Sequence, residues 1–365
     1  MAAKKIGTSL DFLIHPGETL GDILVERNIT QAELATRTGV TAAYVCNVIA
    51  GKKDISANFA FALEYALGVP KSFWINLQAD YDAELLEVKV MDTITEEEKI
   101  ARDSLKDVVR YLRRIGKMPA RESVNGSILS LRKALQISNI ANLKGIMPEG
   151  AFRLSAKAKT DPYVMGAWIR LCQIAGEQRS VNTEFDAGKA DELVGKIKDI
   201  MCNARETVQE DLVNLFGEYG IDFSVVRNFR GAPVQGYISK KKDGAYQMVL
   251  TIRGAYADIF WFSLFHELGH IVNGDVGNSA NFIDYNGDVG KEAAADKFAR
   301  ECLIEPDEYR EFVATGDFSL ASIKAFAARQ NVKPYIVIGR LQHEKRLDHN
   351  AYASEKVVYR WAEMS

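Results

Sequence analysis

Hydrophobic positions in this chain recur mostly at helical spacing. Around "SLFHELGHIVNGD", Trp261, Leu264, Phe265, Leu268 and Val272 fall three and four residues apart, which predicts an amphipathic helix with a wide buried face. "KEAAADKFARECLIEP" gives a second such helix, with Ala295, Phe298, Ala299 and Cys302 on one face. Upstream, "LVNLFGEYGIDFSVV" reads as a helix ended by Gly220 and followed by a strand. "GYISKKKDGAYQMVLTIRG" reads as two extended runs, Gly236 to Ser239 and Ala245 to Ile252, joined by a turn at Lys242-Asp243-Gly244.

Near the N-terminus, "TQAELATRTGVTAAYVCNVIAGKKDIS" places Thr30 as an N-cap with Glu33 three residues later, a capping box. Leu34 and Ala35 face inward from a short helix that stops at Gly39. A second helix starts at Thr41 and turns Val45, Val48 and Ile49 to the core. In the middle of the chain Thr95 and Glu98 form another capping box. Leu105, Val108, Val109, Leu112 and Ile115 trace a helix ended by Gly116. Thr160 and Pro162 start one more, with Met165, Trp168, Ile169 and Cys172 inside. The charge run "TEEEKIARDSLKDVVRYLRR" reads as a solvated helix face. "SLASIKAFAARQNVKPYIVIGRLQHEKRL" adds packing helices. The fold class expected is α+β, mostly α, with a small β-sheet.

Composition narrows this picture. A length of 365 residues, 47% hydrophobic content, 26% charge and a net charge of −3 describe a soluble globular protein of two or three domains. No stretch approaches the roughly 20 apolar residues of a membrane span, and "MAAKKIGTSLDF" lacks the apolar core of a signal peptide, so a cytoplasmic location is expected. Cys46, Cys172, Cys202 and Cys302 form no CxxC pair, which fits reduced, buried thiols. The global charge carries no basic excess, so a nucleic-acid partner has to be argued locally.

Two local signals carry chemistry. His266 and His270 sit at i and i+4 on one helix, so both imidazoles can reach one tetrahedral zinc ion, with Glu267 beside the metal-bound water. In such HExxH sites the metal lowers the pKa of its water toward ~7 and the glutamate takes the proton as the water attacks a carbonyl. Twenty-two residues after His270, Glu292 can complete a His2Glu site, one zinc per chain, and Asp296 can accept the second N–H of a liganding histidine. The extended hairpin would either align an extended peptide as an edge strand or simply cover the core. Tyr285, Arg253 and His343 are candidate donors to a developing oxyanion.

The second signal is the pair of short helices around Gly39, a helix-turn-helix whose second helix would enter the major groove of double-stranded DNA. Its outward residues are Thr41, Ala42, Ala43, Tyr44 and Asn47. Asn47 can pair with adenine, Thr41 and the alanines can meet a thymine methyl or the backbone, and Tyr44 can contact phosphate or a base edge. Gln31, Lys52 and Lys53 are placed for phosphates. Over residues 1–80, seven Lys/Arg stand against eight Asp/Glu, a net of −1, so binding is expected to need a homodimer. A helical module that binds protein instead is the competing reading.

Both signals also resemble known families. "FHELGH", "EAAADKFA" and "LIEP" are similar to motifs of the ImmA/IrrE metallopeptidases over roughly Lys196 to Leu347. The resemblance implies a gluzincin-like fold and a regulatory peptidase acting on helix-turn-helix repressors, with His266, His270 and Glu292 as ligands and Glu267 as base. Ala294 departs from it, standing where the family often has a second glutamate. Ile14 to Asp82, with "HPGE", "GKKDISA" and "SFWINLQADYD", resembles the HigA-type antitoxin domain of the Xre-like, lambda-repressor-like helix-turn-helix group. That implies a dimer acting on its own operator and binding a RelE/ParE-like toxin, with His15 structural. The expected domains are 1–82, helix-turn-helix; 83–195, a helical connector or docking region; and 196–365, metallopeptidase with C-terminal helices. The function expected is an antitoxin-like DNA-binding regulator carrying a zinc endopeptidase. Its rivals are a non-catalytic antitoxin with a metal-domain scaffold and an enzyme mainly devoted to proteolysis.

Overall fold

The computed structural model describes residues 13–146, 160–203 without 178, 180 and 182, 207–241, 244–276 without 253 and 255, 281–283, and 289–361. The chain divides into two compact units, Met1–Thr95 and Glu96–Ser365.

Among the described residues the first unit has five helices: α1 (Pro16–Glu26), α2 (Gln31–Thr38), α3 (Ala42–Ile49), α4 (Ala57–Leu67) and α5 (Lys71–Asp92). His15 starts α1 as its cap, because its Nδ1 accepts the Gly17 N–H at 2.9 Å and Pro16 needs no N–H partner. Gly17 has to be glycine: a Cβ there would lie 1.8 Å from the Val48 carbonyl oxygen of α3. Thr30, Thr41 and Ser56 cap the next three helices through their hydroxyls, and Gly39 and Gly68 end α2 and α4 at φ 70° and 68°. Glu33 of the expected capping box pairs with Arg37 one turn on. Leu20, Leu34, Val45, Val48, Leu63 and Trp74 fill the core, while Ile49 is only half-buried.

In the second unit, α6 (Glu96–Ser104), α7 (Lys106–Arg114), α8 (Val124–Leu135), a 3-10 turn (Ile140–Ile146) and α9 (Pro162–Glu177) come first. The single helix expected from Thr95 to Gly116 is two, meeting at Leu105, whose N–H bonds both Ala101 and Arg102 carbonyls. Beneath them, Glu98 is fully buried: its carboxylate accepts Arg132 Nε at 2.9 Å and Nη2 at 2.6 Å, and the Ile140 N–H at 3.3 Å.

There follow α10 (Ala190–Cys202), α11 (Val208–Glu218), β1 (Ile221–Val225), β2 (Gly236–Lys240), β3 (Tyr246–Leu250), α12 (Ala257–Val272), β4 (Asn281–Ile283) and α13 (Val289–Leu303), then α14 (Pro306–Thr315), α15 (Leu320–Arg329) and α16 (Pro334–His343). The sheet order is β1-β3-β2-β4, with β1 parallel to β3 and β2 antiparallel to both neighbours. The turn residues Lys242 and Asp243 lie outside the described residues; Gly244 has φ 86°.

Residue 82 falls inside α5, and residues 96–177 lie in the same compact unit as the sheet. The physical reason is α9, whose Trp168, Ile169 and Cys172 are fully buried and need a surface to cover. Gln247 of β3 donates to the Cys172 carbonyl at 2.6 Å, Lys241 to the Gly176 carbonyl at 3.1 Å, and Asp161 N–H to the Gly231 carbonyl at 2.9 Å. Cys172 is buried as expected, whereas Cys46 is exposed on α3. No helix among the described residues is long and apolar enough to cross a membrane.

Candidate functional site

Helix α12 is buried almost throughout, including His266, Glu267 and His270. Gly269 lets α13 approach it closely: a Cβ there would stand 3.1 Å from Phe298 Cδ1 and 3.2 Å from Ala295 Cα. That approach brings Glu292 to the two histidines. His266 Nε2 and His270 Nε2 are 3.1 Å apart, Glu292 Oε2 is 3.3 Å from the former, and Oε1 is 3.7 Å from the latter. Atoms bonded at about 2.05 Å to one tetrahedral zinc ion lie about 3.3 Å from each other, so these edges fit such an ion.

The outer ring nitrogens are held as well. His266 Nδ1 lies 3.0 Å from Asp296 Oδ1, and His270 Nδ1 lies 2.9 Å from Asp275 Oδ2. An ionised carboxylate only accepts, so each Nδ1 is the donor and each Nε2 turns its lone pair toward the other and toward Glu292. Ala294, two residues along the helix, is exposed, so Glu292 and not position 294 joins the histidines.

Two members of this arrangement carried no sequence signal. Asp275 lies beyond the end of α12, where its N–H bonds the His270 carbonyl at 3.0 Å and turns the carboxylate back on the ring. Gly236 of β2 leaves room for Glu267: a Cβ there would lie 2.0 Å from Glu267 Oε1. β2 is not an edge strand, because β3 and β4 flank it, so a peptide cannot add to it at Tyr237–Ser239. Of the oxyanion candidates, Tyr285 and Arg253 lie outside the described residues, and His343 is exposed at the end of α16.

In the first unit, Thr41 Oγ1 accepts the Tyr44 N–H at 3.2 Å and so fixes the start of α3. Gln31, Thr41, Ala42, Ala43, Asn47, Lys52 and Lys53 are all exposed. Tyr44 is less outward than expected. Its ring meets Phe59 edge-on at 5.0 Å and carries the Lys53 ammonium 4.3 Å from its centroid.

The helix-turn-helix family model matches residues 20–74, which span α2, α3 and the turn between them. The first unit contains a helix-turn-helix domain. Solved structures similar to this domain include a protein assigned as an antidote of a plasmid maintenance system from Nostoc punctiforme, at 34% identity over 22% of this chain and 88% of that one, with a TM-score of 0.22. Another is an addiction module antidote protein of a HigA family from Coxiella burnetii, at 29% identity over 21% and 85%, TM-score 0.20. A third is antitoxin GraA, at 33% identity over 21% and 84%, TM-score 0.21. No match was found among curated proteins.

Proposed function

We propose that the chain is an antitoxin-type DNA-binding regulator whose second unit is a zinc-dependent endopeptidase acting on a regulatory protein. The observation that carries the enzymatic half is the convergence of His266, His270 and Glu292, with Glu267 buried beside them. When bound there, zinc supplies Lewis acidity, polarising a peptide carbonyl and lowering the pKa of a water toward about 7. His266, His270 and Glu292 would hold it, and Asp296 and Asp275 keep both rings in the tautomer that would present an Nε2 lone pair to it. Glu267 takes the proton of the attacking water and returns it to the leaving amine.

The DNA-binding half rests on the helix-turn-helix match and on the exposed side of α3. With a net charge of −1 over residues 1–80, the domain depends on paired half-sites, so a homodimer on the chain's own operator fits it best. A RelE/ParE-like toxin is the partner the antitoxin motifs imply.

Zinc content tests the reading without knowledge of the substrate. Purified protein is expected to hold close to one zinc per chain, with little left in His270→Ala or Glu292→Ala. Little zinc in the parent after reconstitution would leave a regulator without a metal enzyme.

For the DNA contact, Asn47→Ala is expected to weaken operator binding by about 1–3 kcal/mol, the worth of a bidentate pair to adenine. Footprinting at moderate salt checks this, and unchanged protection would remove Asn47 from the interface.

A further inference from the structure

Arg102 stands on α6, and Lys106, Arg110 and Arg113 recur at intervals of four and three on α7. They line an open recess of about 310 Å³. Arg110 also lines an adjoining recess of about 290 Å³, together with Arg114 and with Arg227 and Arg230 from the loop after β1. Among the described residues, seven cationic side chains thus line the two recesses, with Asp107 as the one acid. Asp103 and Glu122 pair with members of the first recess, Arg102 at 3.0 Å, Lys106 at 3.6 Å and Arg113 at 3.9 Å. Arg110 meets Asp107 at 3.2 Å but remains largely exposed, and Arg114, Arg227 and Arg230 form no ion pair among the described residues.

The second recess has an aromatic wall, where Tyr111 meets Phe229 edge-on at 5.6 Å. Burial pushes the Tyr111 hydroxyl up, and the nearby charge of Arg114 and Arg227 opposes only part of that rise. A concentration of guanidinium groups stands out in a chain of net charge −3. Guanidinium forks match phosphate oxygens in pairs, whereas a solvated helix face needs no convergence with a distant loop.

We infer that this groove binds the phosphate backbone of duplex DNA without regard to base sequence. Two recesses of about 290 and 310 Å³ that share Arg110 offer cationic side chains to more than one phosphate, which favours a polymer over a small phosphorylated ligand. The inference takes its choice of polymer from the DNA-binding reading of the first unit. It also meets that unit's deficit, since a domain with a net of −1 supplies little of the counterion release that drives backbone affinity.

The test uses the full chain on random-sequence duplex DNA over a salt series, beside Arg110→Gln/Arg114→Gln/Arg230→Gln and the same three positions changed to Lys. All three side chains are exposed, and unchanged thermal unfolding checks that the variants are folded. Each lost phosphate contact lowers the slope of log K against log salt by about 0.9, so the Gln variant is expected to lose about 2.7 and the Lys variant to stay near the parent. An unchanged slope in the Gln variant would overturn the inference, as would equal losses in both variants. So would parental binding of a mononucleotide that depends on these arginines while binding of random duplex does not. Failure of the first unit's reading shows differently: Asn47→Ala would leave operator preference intact while the groove variant still lost its slope.

Discussion

Glu267→Gln is expected to keep about one zinc per chain and to lose roughly 10²–10⁴-fold in peptide cleavage, the usual contribution of a positioned proton-transfer group. The side chain has no exposed surface and sits against Gly236, so the amide fits the same space without disturbing His266 or His270. An amide has no proton affinity to offer an attacking water, which separates binding from chemistry. Metal analysis and turnover of the cleaved regulator on the same preparation read both quantities. A regulatory phenotype that survives the substitution with zinc retained would mean that the second unit holds metal as a scaffold.

That separation is available because much of the centre was legible from spacing. His266 and His270 at i and i+4 share a face wherever the segment is helical, and Glu292 recurs on a second helix whose apolar face is equally regular. The capping threonines and Gly39 likewise define α2 and α3, because each acts within three or four residues of itself. What escaped depends on return paths through space. Asp275 follows a helix end and is turned back by one backbone hydrogen bond, which leaves no periodic trace. β4 is three residues long and makes β2 an inner strand. The arginines of α7 read as a solvated face because Arg227 and Arg230 join them from more than a hundred residues away. The break at Leu105 kept the apolar spacing of a continuous helix and so was invisible to it.

Glu98 carries the other large effect. Glu98→Ala is expected to destabilise the second unit by about 3–5 kcal/mol, because it strands the Arg132 guanidinium, itself only 16% exposed, and takes the acceptor from the Ile140 N–H. For a unit of this size that lowers the melting temperature by on the order of 10 °C. Replacing both partners with apolar residues, Glu98→Leu with Arg132→Met, should recover most of the loss, since neither charge then remains buried. The same melt bears on whether residues 96–177 unfold together with the proposed metal site. The 3-10 turn lies against α9 so closely that a Cβ on Gly166 would stand 2.0 Å from the Leu143 oxygen, and α9 in turn bonds β3 through Cys172. Loosening α6 and α8 therefore uncovers the sheet that carries Gly236, and zinc is expected to leave in the same transition that melts the helices. An earlier helical transition in Glu98→Ala with zinc still bound would show that those helices fold apart from the metal centre.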